Sequence, residues 1–324
     1  MADAPTPRWT KRALRWGLTV LVLGVVGYFF AVSLWDNWDQ IAAEHLAFDW
    51  LWVVATLLFA VAVPLTGILW GRIVRALDRD AEGRISHAEA IAVQCASWLL
   101  KYIPGQVGSV VNKIVWAGKK GVSRSLVLIT FVYENVFLQI ASIVPSVIIL
   151  LVSLGPEIFG ENATLLLLPL LILIPLAAIS YKPFFHRIVS VPARRVLKRD
   201  VPAEYFLSTW QTLWALVEFL GPRVLNGVGF VMIAATVTEV TPDQWLPFAA
   251  AYVLAGAIGI LAFFVPSGLG VREAIIVLIL SQYIPVAEAI VISLLARLLS
   301  TVGDGLIALI YVGVRRTIPK EYRP

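Results

Sequence analysis

The sequence predicts an all-α, polytopic membrane protein with about six full spans and two broken, re-entrant helix hairpins, set in two halves of opposite orientation. Three observations carry that expectation. Apolar residues make up 59% of the chain and charged residues 15%, against about 45–50% and about 25% in soluble domains, so lipid is the natural solvent. Long apolar runs recur, and crossing a ~30 Å hydrocarbon core takes about 17–25 such residues. Lysine and arginine gather in short segments between the runs and are missing from alternate ones.

The first run, 17–34, follows RWTKRALR and carries AVS at 31–33, which imitates a signal peptide with its cleavage site. Its length and the further runs behind it favour a permanent span. WDNWDQIAAEHLAFDW, 35–50, then places Trp35, Trp38, Ile41, His45 and Phe48 on one helical stripe with acids opposite, the pattern of an interfacial amphipathic helix. Spans follow at 51–70, 125–154, 163–181, 224–240 and 287–314. Between the second and third runs lie two helical legs, 88–101 and 105–118, each about 14 residues and roughly 21 Å long. Neither is long enough to cross, and basic segments flank both, so they read as a hairpin dipping in from the cytoplasm. A second hairpin runs apolar to Val265, breaks at PSGLG and returns through 271–283, entering from the outer face, although parity alone also allows two short complete spans here. The halves are then 15–181 and 205–316, joined by a basic cytoplasmic loop at 182–204, all in one transmembrane domain.

Of the 26 lysines and arginines, 22 fall in five segments: the N-terminus, 72–84, 113–124, 182–199 and the C-terminus. Segments 35–49, 155–162 and 239–245 carry acids and neither Lys nor Arg. The positive-inside rule therefore expects a multi-pass protein of the cytoplasmic membrane with both termini cytoplasmic. The basic segments suit anionic lipids at that surface rather than nucleic acid.

The other four cations, Lys101, Arg223, Arg272 and Arg297, fall in or beside hydrophobic segments, as do Glu134, Glu218, Glu273 and Asp304. A charge at the bilayer centre costs about 2.5–3.5 kcal/mol on insertion scales, so such groups line a cavity or pair with one another. Proline removes a backbone donor and glycine permits a sharp turn, so each break ends one helix and starts another at membrane depth. The free N–H groups of a new helix attract anions, phosphate above all. The candidate anion-binding set is Lys101, Pro104, Gly105, Gly108, Lys113, Pro266, Gly268, Gly270, Arg272 and Arg297. Glu134, Glu218, Glu273 and Asp304 are candidates for balancing charge or carrying a coupled proton.

KYIPGQVGS, then AGKKGVSRS and VYENVF, with PSGLGVREA in the second half, resembles the lysylphosphatidylglycerol synthetase transmembrane region family, over residues of about 10–316. Its best-known members are the flippase halves of multiple peptide resistance factors, which make and translocate aminoacylated phosphatidylglycerol; relatives act in archaeal dolichol-linked glycosylation and near hopanoid biosynthesis. The resemblance implies that Lys101, Pro104, Gly105, Gly108, Glu134, Pro266, Gly268, Gly270, Arg272 and Glu273 are its motif residues, with Arg297 and Asp304 in the matching last helix. The sequence ends eight residues after Arg316 without a soluble synthetase domain. Translocation without aminoacyl transfer is therefore expected.

The expected function is movement of a phosphate-bearing phospholipid, polyprenyl or glycolipid headgroup, anionic or zwitterionic, across the membrane. AGKKGVS lacks the spacing of a phosphate-cradling loop, so no ATPase, and no other enzymatic activity, is expected, and uphill movement would draw on an ion gradient. One cysteine, Cys95, excludes an intrachain disulfide and a cysteine-ligated zinc site; no cofactor or metal is expected, and His45, His87 and His186 are scattered. Two alternatives share parts of the pattern: a secondary transporter of a small soluble anion, and a glycosyltransferase using a polyprenyl-phosphate sugar with Asp36, Asp39 and Glu44 as metal ligands. Small residues in GLTVLVLGVVG and AYVLAGAIG permit close helix packing, within the chain or in a homodimer.

Overall fold

The computed structural model describes residues 48–78, 85–100, 107–155, 163–197, 201–261, 268 and 270–324, with the backbone alone at 107, 163–170 and 192–197. Among the described residues every regular element is a helix, which is what lipid demands of a backbone with no water to bond. The span expected at 17–34 and most of the amphipathic stretch after it lie outside the described residues.

Helix α1, Trp50–Leu77, starts where the Asp49 carboxylate accepts the Leu51 N–H at 2.8 Å. Helix α2, His87–Leu99, opens on a capping box in which Ser86 and Glu89 satisfy each other's backbone donors. The return leg α3, Val107–Lys120, leads to α4, Arg124–Leu154, capped by Ser123. Then come α5, Ala163–Ser180; α6, Lys182–Leu197; α7, Thr209–Glu218; and α8, Leu220–Ala234. The second hairpin is α9, Trp245–Leu261, with α10, Val271–Leu280, and α11, Val286–Thr317, closes the bundle.

Among the described residues, four helical stretches are long and apolar enough to cross a membrane: Trp50–Leu77, Arg124–Leu154, Ala203–Ala234 and Val286–Thr317. A fifth is reached if Leu171–Ser180 and Lys182–Val191, which meet at 89°, form one span. Three expectations shift accordingly. The run 224–240 is instead a stretch that begins at the Ser208 cap, breaks at Phe219 and ends at Ala234. Hydropathy alone misses its polar start, because the Ser208–Gln211 capping box and not apolarity fixes that end. The loop at 182–204 is largely helical, since α6 occupies most of it. Lys113, grouped by spacing with the loop cations, sits inside α3 and is fully buried.

Packing repeats between the two parts of the chain. Helices α1 and α8 cross against each other, with Trp52 Nε1 donating to Thr236 Oγ1 at 2.8 Å just beyond the end of α8. Each also holds its following hairpin leg: α1 holds α2, α8 holds α9. Small residues set both approaches. A Cβ at Gly67 would lie 2.7 Å from Gln94 Cβ of α2, and one at Gly227 would lie 2.9 Å from Ala249 Cβ of α9. Between helices whose alternative neighbour is lipid, such close backbone approach is what holds a pair together. Each first leg then packs on the helix that follows the other hairpin, α9 on α4 and α2 on α11. The AYVLAGAIG stripe of α9 is thereby used within the chain, with Tyr252, Leu254, Ala255, Ala257, Ile258 and Gly259 buried.

Candidate functional site

Helices α8 and α10 bring two cations to the neighbourhood of one aromatic ring of α9. At the return of the second hairpin, Gly268 takes φ +65°, and a Cβ there would meet Gly259 Cα at 2.7 Å and Gly259 O at 2.8 Å, so only glycine lets the two legs touch. Gly270, at φ +78°, is the N-cap of α10 and has no side chain to bond the helix's first amides. Arg272 lies in this first turn. Its stem crosses α9 where Gly259 has no side chain, since a Cβ there would sit 2.5 Å from Arg272 Cγ. Its guanidinium then lies 5.4 Å from the centroid of Tyr252.

Tyr252 stacks with Phe59 of α1, 5.2 Å away and 10° from parallel, and with Phe230 of α8, 4.8 Å away and 18° from parallel. Three helices therefore fix the platform on which Arg272 rests. Arg223 of α8 approaches the same place, close enough to interact electrostatically with both Arg272 and Tyr252. Its Nε is buried and has no hydrogen-bond partner. Among the described residues neither arginine makes an ion pair. Two guanidinium groups that repel each other, beside an uncapped helix start, form a concentrated positive region inside the bundle.

Glu273 faces the other way and meets Arg297 of α11 at 3.5 Å, with Glu273 Oε2 buried and unpartnered. Two turns along α11, Asp304 accepts the indole N–H of Trp98 in α2 at 2.8 Å. One helix thus contacts both hairpins through polar groups.

The first hairpin treats its charges differently. Lys113 of α3 and Glu134 of α4 form an ion pair in which the lysine side chain is fully buried and the glutamate is 4% exposed. Gln94 Nε2 donates to the second carboxylate oxygen at 2.7 Å, and the Lys113 ammonium lies 4.3 Å from the Trp70 ring centroid. Gly108 is half-buried in the first turn of α3, and Glu218 pairs with Arg72 of α1 at 2.7 Å near the surface. Lys101, Pro104, Gly105 and Pro266 lie outside the described residues.

Of the sequence candidates, then, Gly268, Gly270, Arg272 and Glu273 lie in the second hairpin with Arg297 of α11 paired to Glu273, while Lys113 and Glu134 form a buried pair elsewhere and Glu218 pairs with the half-exposed Arg72. Tyr252, Phe59 and Phe230 were not singled out from sequence, because an aromatic in an apolar run carries no local mark of what it stacks on. Arg223, one of the four cations in apolar sequence, gains its meaning from a neighbour 49 residues away.

The fold and these interior charges define an all-helical membrane protein with polar chemistry inside its bundle. The chain belongs to the lysylphosphatidylglycerol synthase TM region family, whose model matches residues 17–308 of the 324. A comparison with curated proteins returned no match. Membership assigns the chain a membrane location and a lipid-related role.

Proposed function

We propose that this protein is a lipid flippase of the cell membrane, passing a phosphate-bearing headgroup across the bilayer while the acyl chains stay in lipid. One observation carries the reading: Arg272 lies 5.4 Å from the Tyr252 ring centroid with Arg223 within electrostatic range of both, and neither arginine has a carboxylate partner among the described residues. Holding two uncompensated cations inside a membrane costs several kcal/mol. A phosphate drawn onto them, and onto the uncapped start of α10, offsets that cost. Arg is suited to the task because its planar fork matches phosphate oxygens two at a time.

In this reading the two parts of the chain are inverted halves with both termini cytoplasmic, each hairpin reaches in from its own side, and α11 couples them through Glu273–Arg297 and Asp304–Trp98. The repeat of helix contacts supports that arrangement. The lipid passes without a covalent step, driven by its own gradient or by an ion gradient. Glu273 balances the charge of Arg297 on α11. Lys113 and Glu134 are assigned to holding the first hairpin in place.

The test is a liposome assay with fluorescent lipids in both leaflets and dithionite outside. Wild-type protein should carry quenching past the outer-leaflet half, with Arg272→Gln reduced to the protein-free rate. If sulfate or phosphate flux appears while no lipid moves, the site serves a small soluble anion instead.

A further inference from the structure

Helix α6 is unlike the rest of the bundle. It leaves α5 at 89°, and from residue 163 to 199 the chain has no acid while Lys182, Arg187, Arg194, Arg195, Lys198 and Arg199 are basic. Its inward side is anchored. Phe185 is buried and meets Phe206 edge to face at 5.3 Å, and His186 packs on the same ring at 5.0 Å with Nε2 3.3 Å from the Val201 carbonyl. The other side is bare: Tyr181, Phe184, Ile188 and Val191, spaced for one helical face, are all exposed, and so is Arg187 beside them.

The depth of this bare stripe follows from its anchors. Phe206 lies just before the Ser208 cap of α7, and the first turns of α7 expose Trp210 and Trp214. Tryptophan pairs of that kind sit at the headgroup boundary of a membrane. Helix α6 is therefore held at boundary level and turned away from the direction of α5. An apolar stripe flanked by cations at that level fits the plane of the membrane, apolar side down.

We infer that α6 is an interfacial helix that recruits anionic phospholipid headgroups, with Phe184, Ile188 and Val191 among the acyl chains and Lys182 and Arg187 on the phosphates. The occupant is an anionic leaflet rather than a protein because the surface pairs unbroken positive charge with an apolar strip, and each basic side chain near a charged leaflet strengthens its hold about fivefold. Such a helix would gather a ring of anionic lipid around the protein. The inference stands apart from the transport reading and needs no flux to be tested.

The experiment labels Ile188→Cys with bimane, the native Cys95 being buried, in the full-length protein in liposomes containing brominated phosphatidylglycerol or, at the same mole fraction, brominated phosphatidylcholine. The inference expects about fivefold or more quenching by the anionic lipid, falling to parity in Lys182→Gln/Arg187→Gln and in high salt, with the protein still monodisperse. Equal quenching by the two lipids in the wild type would show insertion without recognition of charge and overturn the inference. Absence of quenching by either would place α6 away from the membrane and overturn it as well.

Discussion

The two hairpins share a design and differ in what they do with charge. In α2–α3 the interior lysine has been neutralised by Glu134, whose other oxygen takes Gln94, and the group is closed to solvent on all sides. Arg272 of α10 instead lies within electrostatic range of a second cation, Arg223 of α8, and the nearby Glu273–Arg297 pair is long and partly exposed, its side chains 19% and 9% accessible. The contrast teaches that a charge inside a membrane protein is not by itself a sign of function. What distinguishes a binding group from a strut is whether its desolvation is already compensated within the chain.

Mutations should separate the two cases. The largest effect belongs to the closed pair: Lys113→Ala leaves Glu134 buried without a counter-charge and should lower stability by about 3–5 kcal/mol, read as a fall in the thermal midpoint in detergent. Lys113→Met with Glu134→Gln should recover most of it, because removing both charges removes the penalty. Arg272→Gln should do the reverse, leaving the thermal midpoint unchanged or raised while headgroup flux falls to background. An intermediate outcome is expected for Gly259→Ala, whose methyl group would press on the Arg272 stem and the Gly268 backbone; a loss of about 1–3 kcal/mol with reduced flux is the expected pair of readings. The smallest belongs to Arg72→Ala. Arg72 is half exposed in its pair with Glu218, and about 0–1 kcal/mol is expected, with flux unaltered.

Much of the architecture was legible because it rests on local chemistry. The hairpin legs expected at 88–101 and 105–118 are helices His87–Leu99 and Val107–Lys120, since signals such as the Ser86–Glu89 capping box act within a few residues of themselves. The same holds for Gly268 and Gly270, whose left-handed backbone was implied by PSGLG. What the sequence hid was partnership across long separations. In sequence Lys113 reads as a loop cation because it lies within two turns of Lys119 and Lys120 at the end of α3, and nothing local announces Glu134 as its partner. Tyr252 looked like filling in an apolar run, and its role arises from Phe59 and Phe230 on two other helices. Helix α6 was read as a loop because its prolines and cations mask a face whose spacing is helical.

The account stands or falls on the assignment of roles to the two charge clusters. The most direct measurement compares lipid flux in liposomes for Arg223→Gln/Arg272→Gln and for Lys113→Met/Glu134→Gln, each checked for the wild-type circular-dichroism spectrum and a monodisperse elution. The account predicts flux at the protein-free rate for the arginine double variant and flux near wild type for the neutralised lysine–glutamate variant. Retained flux in the first with loss in the second would contradict it, and would move the headgroup site to the first hairpin.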